Sequence, residues 1–109
     1  MSGPLADVAV VREAGGRVRI TIAGEIDGSN TDQLRRRIED EIDGAPTVAI
    51  DLAGVAYIDS QGLRLLLHVA QDVGGDPPGL TLVAPPGCFA AELFTITRIG
   101  DVVPVVAAL

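Results

Sequence analysis

Residue types that carry out reactions are scarce in this chain, and their placement narrows the chemistry open to it. There is one cysteine, Cys88, and one histidine, His68. Such a supply excludes an internal disulfide and leaves no Cys/His cluster for a structural zinc ion. A thiol protease would need His68 beside Cys88 in the fold, whereas an unpaired cysteine most often serves as a small buried hydrophobe. The densest polar group is Asp59-Ser60-Gln61-Gly62. As a nucleophile Ser60 would need a base and a group to orient it, but G-x-S-x-G is absent and only His68 is available as base. Neither G-x-x-x-x-G-K-[ST] nor G-x-G-x-x-G occurs and the chain has no lysine, which disfavours nucleotide hydrolysis. Asp59 with Asp51 or Asp27 could share a magnesium ion, yet fifteen acidic residues supply such pairs by chance. No cofactor is expected.

Ser60 keeps two readings on these grounds. It stands where a helix N-cap is wanted, and a hydroxyl there stabilises by roughly 1 kcal/mol by accepting from a free backbone amide. The other reading is modification: free amides and the helix dipole tolerate a phosphoryl group at such a position. Asp59, with Glu25 and Asp27 if their turn is adjacent, would then join it in one negative patch.

The elements that must position these residues follow from hydrophobic period. Residues 8–12 and 17–23 are β-branched runs separated by Ala14-Gly15-Gly16, which predicts a hairpin, the second alternating Val18, Ile20 and Ile22 against Arg17, Arg19 and Thr21. The turn Gly24-Glu25-Ile26-Asp27 follows. Leu34, Ile38 and Ile42 recur at helical spacing over 30–43, with Ser29 and Asp32 as a capping pattern. Residues 47–52 form a short apolar run expected mid-sheet. A second helix starts near Ser60 and carries the stripe Leu63, Leu66, Leu67, Ala70 and Val73, widened by Leu65 and Val69. Residues 80–84 predict a strand, Pro86 to about Ile99 a third helix with Phe89, Leu93 and Phe94, and 102–106 a terminal strand or extended tail. The order β-β-α-β-α-β-α-β requires helical crossovers, hence an α/β fold whose sheet is mostly parallel with an antiparallel N-terminal hairpin. Its functional crevice belongs at the carboxyl ends of the strands, where Gly24 to Asp27 and Asp59 to Gly62 fall.

Composition agrees with one core. At 109 residues and 48% hydrophobic content the chain suits a single domain over 1–109, and with three aromatic residues that core is aliphatic. A net charge of −7 disfavours nucleic acid and anionic lipid as partners. The basic run Arg35-Arg36-Arg37, followed by Glu39, Asp40 and Glu41, reads as a solvated helix face. The N-terminus lacks a basic, then apolar leader pattern and no window suits a membrane span, so a cytoplasmic location without membrane insertion is expected.

Two segments carry a resemblance. Ile22-Ala23-Gly24-Glu25-Ile26-Asp27 and Val48 through Leu63, which includes Asp51-Leu52, Val55, Tyr57-Ile58-Asp59-Ser60 and Gly62-Leu63, resemble the G-E-[LI]-D and D-L-x-x-V-x-[FY]-[IM]-D-S-x-G-L signatures of the STAS domain. The likeness is to the single-domain bacterial anti-sigma factor antagonists in particular. It implies a partner switch: the unphosphorylated form binds a serine-kinase anti-sigma factor and releases the sigma factor. The kinase phosphorylates the serine of D-S-x-G with ATP, and a serine phosphatase reverses this. Ser60 is that serine here, and Gly24, Glu25, Asp27, Asp59, Ser60, Gln61, Gly62, Leu63 and Arg64 make up the expected partner-binding surface. Gln61 replaces a second Ser or Thr often found there. Arg64 stands where many relatives have a small residue, a cation one turn from Ser60. The third helix, Leu93-Phe94-Thr95-Ile96-Thr97-Arg98-Ile99, lacks the usual L-x-x-[TS]-G-L ending. The alternative within the same family is a STAS subunit of a membrane lipid-transport complex or scaffold assembly, using the same helix for docking without phosphorylation.

Overall fold

The computed structural model describes residues 6–75 and 79–109. They form five strands, β1 (Ala6–Arg12), β2 (Val18–Ile26), β3 (Val48–Ile58), β4 (Leu80–Val83) and β5 (Val105–Val106), with helices α1 (Thr31–Ile42), α2 (Ser60–Val73) and α3 (Phe89–Thr97). The strands lie side by side in chain order; β1 and β2 are antiparallel and every later pair is parallel. This is the α/β arrangement expected, with β3 at its centre.

The core is aliphatic. Val18, Ile20 and Ile22 of β2 and Val48, Ile50 and Leu52 of β3 are buried on one face, where Leu34, Ile38 and Ile42 of α1 join them. On the opposite face of the sheet Thr21 is exposed, and Arg19 pairs with Asp51 at 3.3 Å. Helix α1 packs on α2 and β2, while α3 packs on β3 and sends Ala90 and Phe94 into the core.

Several sequence expectations need correction. Strand β3 does not stop at Leu52 but continues to Ile58, and β2 runs on through Gly24, Glu25 and Ile26. The pairing steps from Thr21↔Asp51 to Ala23↔Gly54, then from Gly24↔Val55 to Glu25↔Tyr57, so β3 carries an extra residue at each step. Such bulges break the two-residue period by which a strand is read from sequence, leaving Val55 and Ile58 buried three apart. Helix α2 starts at Ser60 and buries Gly62, Leu65, Leu66, Val69 and Ala70; Leu67, placed in the stripe by sequence, is 37% exposed. Ser29 does not cap α1, whose N-cap is Asn30. Helix α3 ends at Thr97 because Arg98 turns into the left-handed region at φ 58°, and the last strand is only Val105–Val106.

Candidate functional site

At the carboxyl end of the sheet two turns meet. Ile58 ends β3, and Asp59 is extended (φ −96°, ψ −173°), so the chain enters α2 with Asp59, not Ser60, at the N-cap. Its Oδ1 accepts from the Gly62 amide at 2.9 Å, satisfying one of the amides that a helix start leaves free. Its Oδ2 accepts from the Gly28 amide at 3.1 Å, which ties the β2–α1 loop to the α2 N-terminus. A third strut is the Asp59 amide donating to the Ile26 carbonyl at 3.1 Å. The capping role assigned to Ser60 therefore belongs to its neighbour. Ser60 is the first helical residue, exposed, and among the described residues its hydroxyl has no hydrogen-bond partner.

The β2–α1 loop is held by a residue that sequence reasoning missed. Asn30 is 3% exposed; its Oδ1 accepts from the Asp27 amide at 3.1 Å and its Nδ2 donates to the Glu25 carbonyl at 2.8 Å. Both ends of one amide group thus brace the loop, as a buried polar group must. The signal for it, an Asn just before a helical stripe, was overshadowed by Ser29. The Ser29 hydroxyl and its backbone amide both donate to Asp27 Oδ1, the hydroxyl first in effect, and hold that carboxyl below the usual carboxylate range.

Of the residues expected to meet a partner, the structure brings Asp27, Asp59, Ser60 and Gln61 to one end of the molecule. Gln61 lies against Gly28: a Cβ on that glycine would stand 3.6 Å from Gln61 Cγ. Gly24 and Glu25 sit in strand β2 opposite Val55 and Tyr57, with Gly24 at φ 106° and Glu25 exposed. Gly62 and Leu63 point inward, the first buried and the second half-buried, so they shape the surface from beneath. Arg64 is exposed on α2 and borders a cleft between α1 and α2 with Asp32, Arg35, Gln61, Leu65 and His68.

The competing chemistries are not assembled. His68 is two turns along α2 from Ser60, about 12 Å at 1.5 Å per residue, and its Nδ1 lies 3.1 Å from Arg35 Nη1. Cys88 caps α3, its Sγ accepting from the Ala91 amide at 3.4 Å. Asp51 is occupied by Arg19 and by the Ala53 amide at 3.0 Å, away from the Asp59 turn. Among the described residues no helix is long and apolar enough to cross a membrane. What the site offers is an exposed hydroxyl on a braced platform of two turns, with carboxylates around it.

Comparison with known proteins agrees with that architecture. No curated protein sequence matches the chain. Among solved structures it superposes on an anti-sigma factor antagonist from Mycobacterium paratuberculosis at 24% identity and a TM-score of 0.83, covering 100% of this chain and 92% of that one. It is also similar to the anti-sigma factor antagonist SpoIIAA in its unphosphorylated form (20% identity, TM-score 0.71, 94% and 90% covered). A third likeness is to the Bacillus cell fate determinant SpoIIAA in its phosphorylated form (18%, 0.64, 93% and 92%). These likenesses establish the fold. The family model described as "Mlab, STAS domain" matches residues 9–104, and the chain belongs to the STAS domain family.

Proposed function

We propose that this protein is an anti-sigma factor antagonist whose unphosphorylated form binds a serine-kinase anti-sigma factor and is switched off by phosphorylation of Ser60. The observation that carries the reading is the Ser60 hydroxyl: exposed, free of hydrogen bonds, and set at the start of α2 on a turn whose shape depends on Asp59 rather than on Ser60 itself. A modified serine there leaves the cap intact. In the transfer, Ser60 Oγ bonds to the γ-phosphorus of ATP, the bond from that phosphorus to the β–γ bridging oxygen breaks, ADP leaves, and the hydroxyl proton passes to a base of the kinase. The product adds about −1.5 to −2 charges and three acceptor oxygens beside Asp59 and Asp27, which opposes an acidic or tightly packed partner surface. A serine phosphatase hydrolyses the ester and restores the binding form. Proteins of this fold that act as anti-sigma factor antagonists support the assignment.

The test incubates the purified protein with candidate anti-sigma kinases and ATP, maps the phosphosite by mass spectrometry, and titrates both forms against the kinase. Phosphate on Ser60 with loss of binding is expected. Phosphate on another hydroxyl with Ser60 bare, or equal affinity of both forms, refutes the switch. The second outcome would favour a STAS docking subunit of a larger assembly.

A further inference from the structure

Arg64 is unusual among the basic residues. Of the eight, all arginines, six form ion pairs, Arg12, Arg17, Arg19, Arg35, Arg37 and Arg98, and of the two that do not, Arg36 lies on α1 and Arg64 alone lies on α2 with Ser60. Among the described residues Arg64 has neither an ion pair nor a hydrogen bond, although the chain carries a net charge of −7. Asp32 of α1 borders the same cleft but forms no ion pair with Arg64. Asp59 is turned away, its two oxygens bonded to Gly62 and Gly28, and Asp27 is engaged by Ser29. Arg35, on the far wall, is bound to Glu39 at 3.2 Å and contacts His68.

Arg64 is four residues beyond Ser60 in one continuous helix, and both are exposed. Residues at this spacing share a helix face with their Cβ atoms about 5–6 Å apart. Helical side chains tilt toward the N-terminus, so a guanidinium at position 64 has the reach to fold back over the first turn to a group on Ser60. Its planar fork suits two phosphate oxygens at once.

We propose that Arg64 is the internal counter-ion of phosphorylated Ser60, closing a bidentate pair with the phosphate along the face of α2. The inference rests on the reading of Ser60 as the phosphoacceptor, and deepens it: the modification then recruits a cation that is otherwise free, and the partner meets a capped, bulky ion pair as well as added charge. The free amides at the helix start act on the phosphate whatever stands at position 64, so their influence cancels when variants of that residue are compared.

The experiment installs phosphoserine at position 60 of the full chain during translation, which makes it independent of any kinase. The 31P chemical shift is then followed against pH for the parent, Arg64→Gln and Arg64→Lys proteins. The phosphate loses its second proton near pH 6, and an adjacent cation lowers that midpoint. Arg64→Gln is expected to raise it by about 0.3 pH units, the size of an i, i+4 ion pair, with the difference shrinking at high salt. Arg64→Lys, which keeps the charge and loses the fork, is expected to return the midpoint toward that of the parent. Coincident midpoints in the parent and Arg64→Gln proteins overturn the pairing, as does a lysine variant that titrates like the glutamine one. Failure of kinases to modify Ser60 would instead remove the functional reading, leaving this titration as a separate result.

Discussion

Gly62 sits in the first turn of α2, and replacing it with alanine sets two effects of opposite sign against each other. In an exposed helix the change from glycine to alanine stabilises by about 0.8–1 kcal/mol, because alanine loses less backbone entropy. Here an added Cβ would stand 2.7 Å from Ile58 Cγ2, 3.0 Å from Ile26 Cγ2 and 3.0 Å from the Ile26 carbonyl oxygen. Ile26 and Ile58 are 0% and 3% exposed, so neither side chain has room to retreat. The carbonyl is the one that accepts from the Asp59 amide, so relief by moving α2 outward stretches a strut of the site. Overpacking of this kind costs typically 1–3 kcal/mol. The gain offsets only part of the clash, and Gly62→Ala is expected to destabilise by up to about 2 kcal/mol net. Urea unfolding at constant m-value reads the change directly, and a shifted midpoint should be accompanied by weaker binding to the proposed anti-sigma kinase. A variant more stable than the parent by about 1 kcal/mol, as at an open helical position, would refute the close packing of α2 on the strand ends.

Asp59→Ala is expected to cost about 1–2 kcal/mol in chemical denaturation, whereas Ser60→Ala is expected to stay within about 0.5 kcal/mol, because the cap belongs to Asp59; the reverse order would return that role to Ser60. Leu66→Ala, at a fully buried site, should cost about 2–5 kcal/mol, and Leu67→Ala clearly less because Leu67 is 37% exposed; equal losses would contradict the helix orientation. Asn30→Ala leaves the Asp27 amide and Glu25 carbonyl without their partner and should cost about 1–3 kcal/mol, with amide exchange rising at residues 25–28. Ser29→Ala should raise the Asp27 pKa. Since the folded carboxyl is held low, its contribution is present above the unfolded value and is lost as pH falls through the folded one. The parent should therefore lose more stability on acidification than the variant, and an unchanged Asp27 titration by NMR would reject the Ser29 contacts.

Helices and strands with a clean period were legible from sequence: the alternation in β2 and the stripe Leu34, Ile38, Ile42 match what the fold buries. The second half of β3 was not, because its bulges replace alternation with Val55 and Ile58 three apart, flanked by exposed Ala53, Gly54, Ala56 and Tyr57. On α2 a wide apolar face left the inward direction undetermined, and the choice between Leu65 and Leu67 fell to packing against β3 and β4. The carboxyl-end rule put both turns at one edge of the sheet but left open whether they meet, and which atoms join them was not legible. Ser, Asp and Asn all cap helices, and only the geometry decides that Asp59 caps α2, Asn30 precedes α1, and Ser29 serves Asp27.

The two-armed carboxylate of Asp59 restricts what evolution or an engineer can place at that position. Both of its oxygens face amide donors, one in its own helix and one in a distant loop. Asparagine is nearly the same shape, yet one of its two arms is itself a donor and would confront an amide hydrogen head-on. Serine and threonine have a single oxygen with which to serve two directions, and glutamate displaces both oxygens by an extra methylene. Aspartate is thus the one side chain whose length and acceptor count satisfy both turns together. The acid that precedes Ser60 is kept there as a hinge pin of the architecture, before any part it plays in recognition.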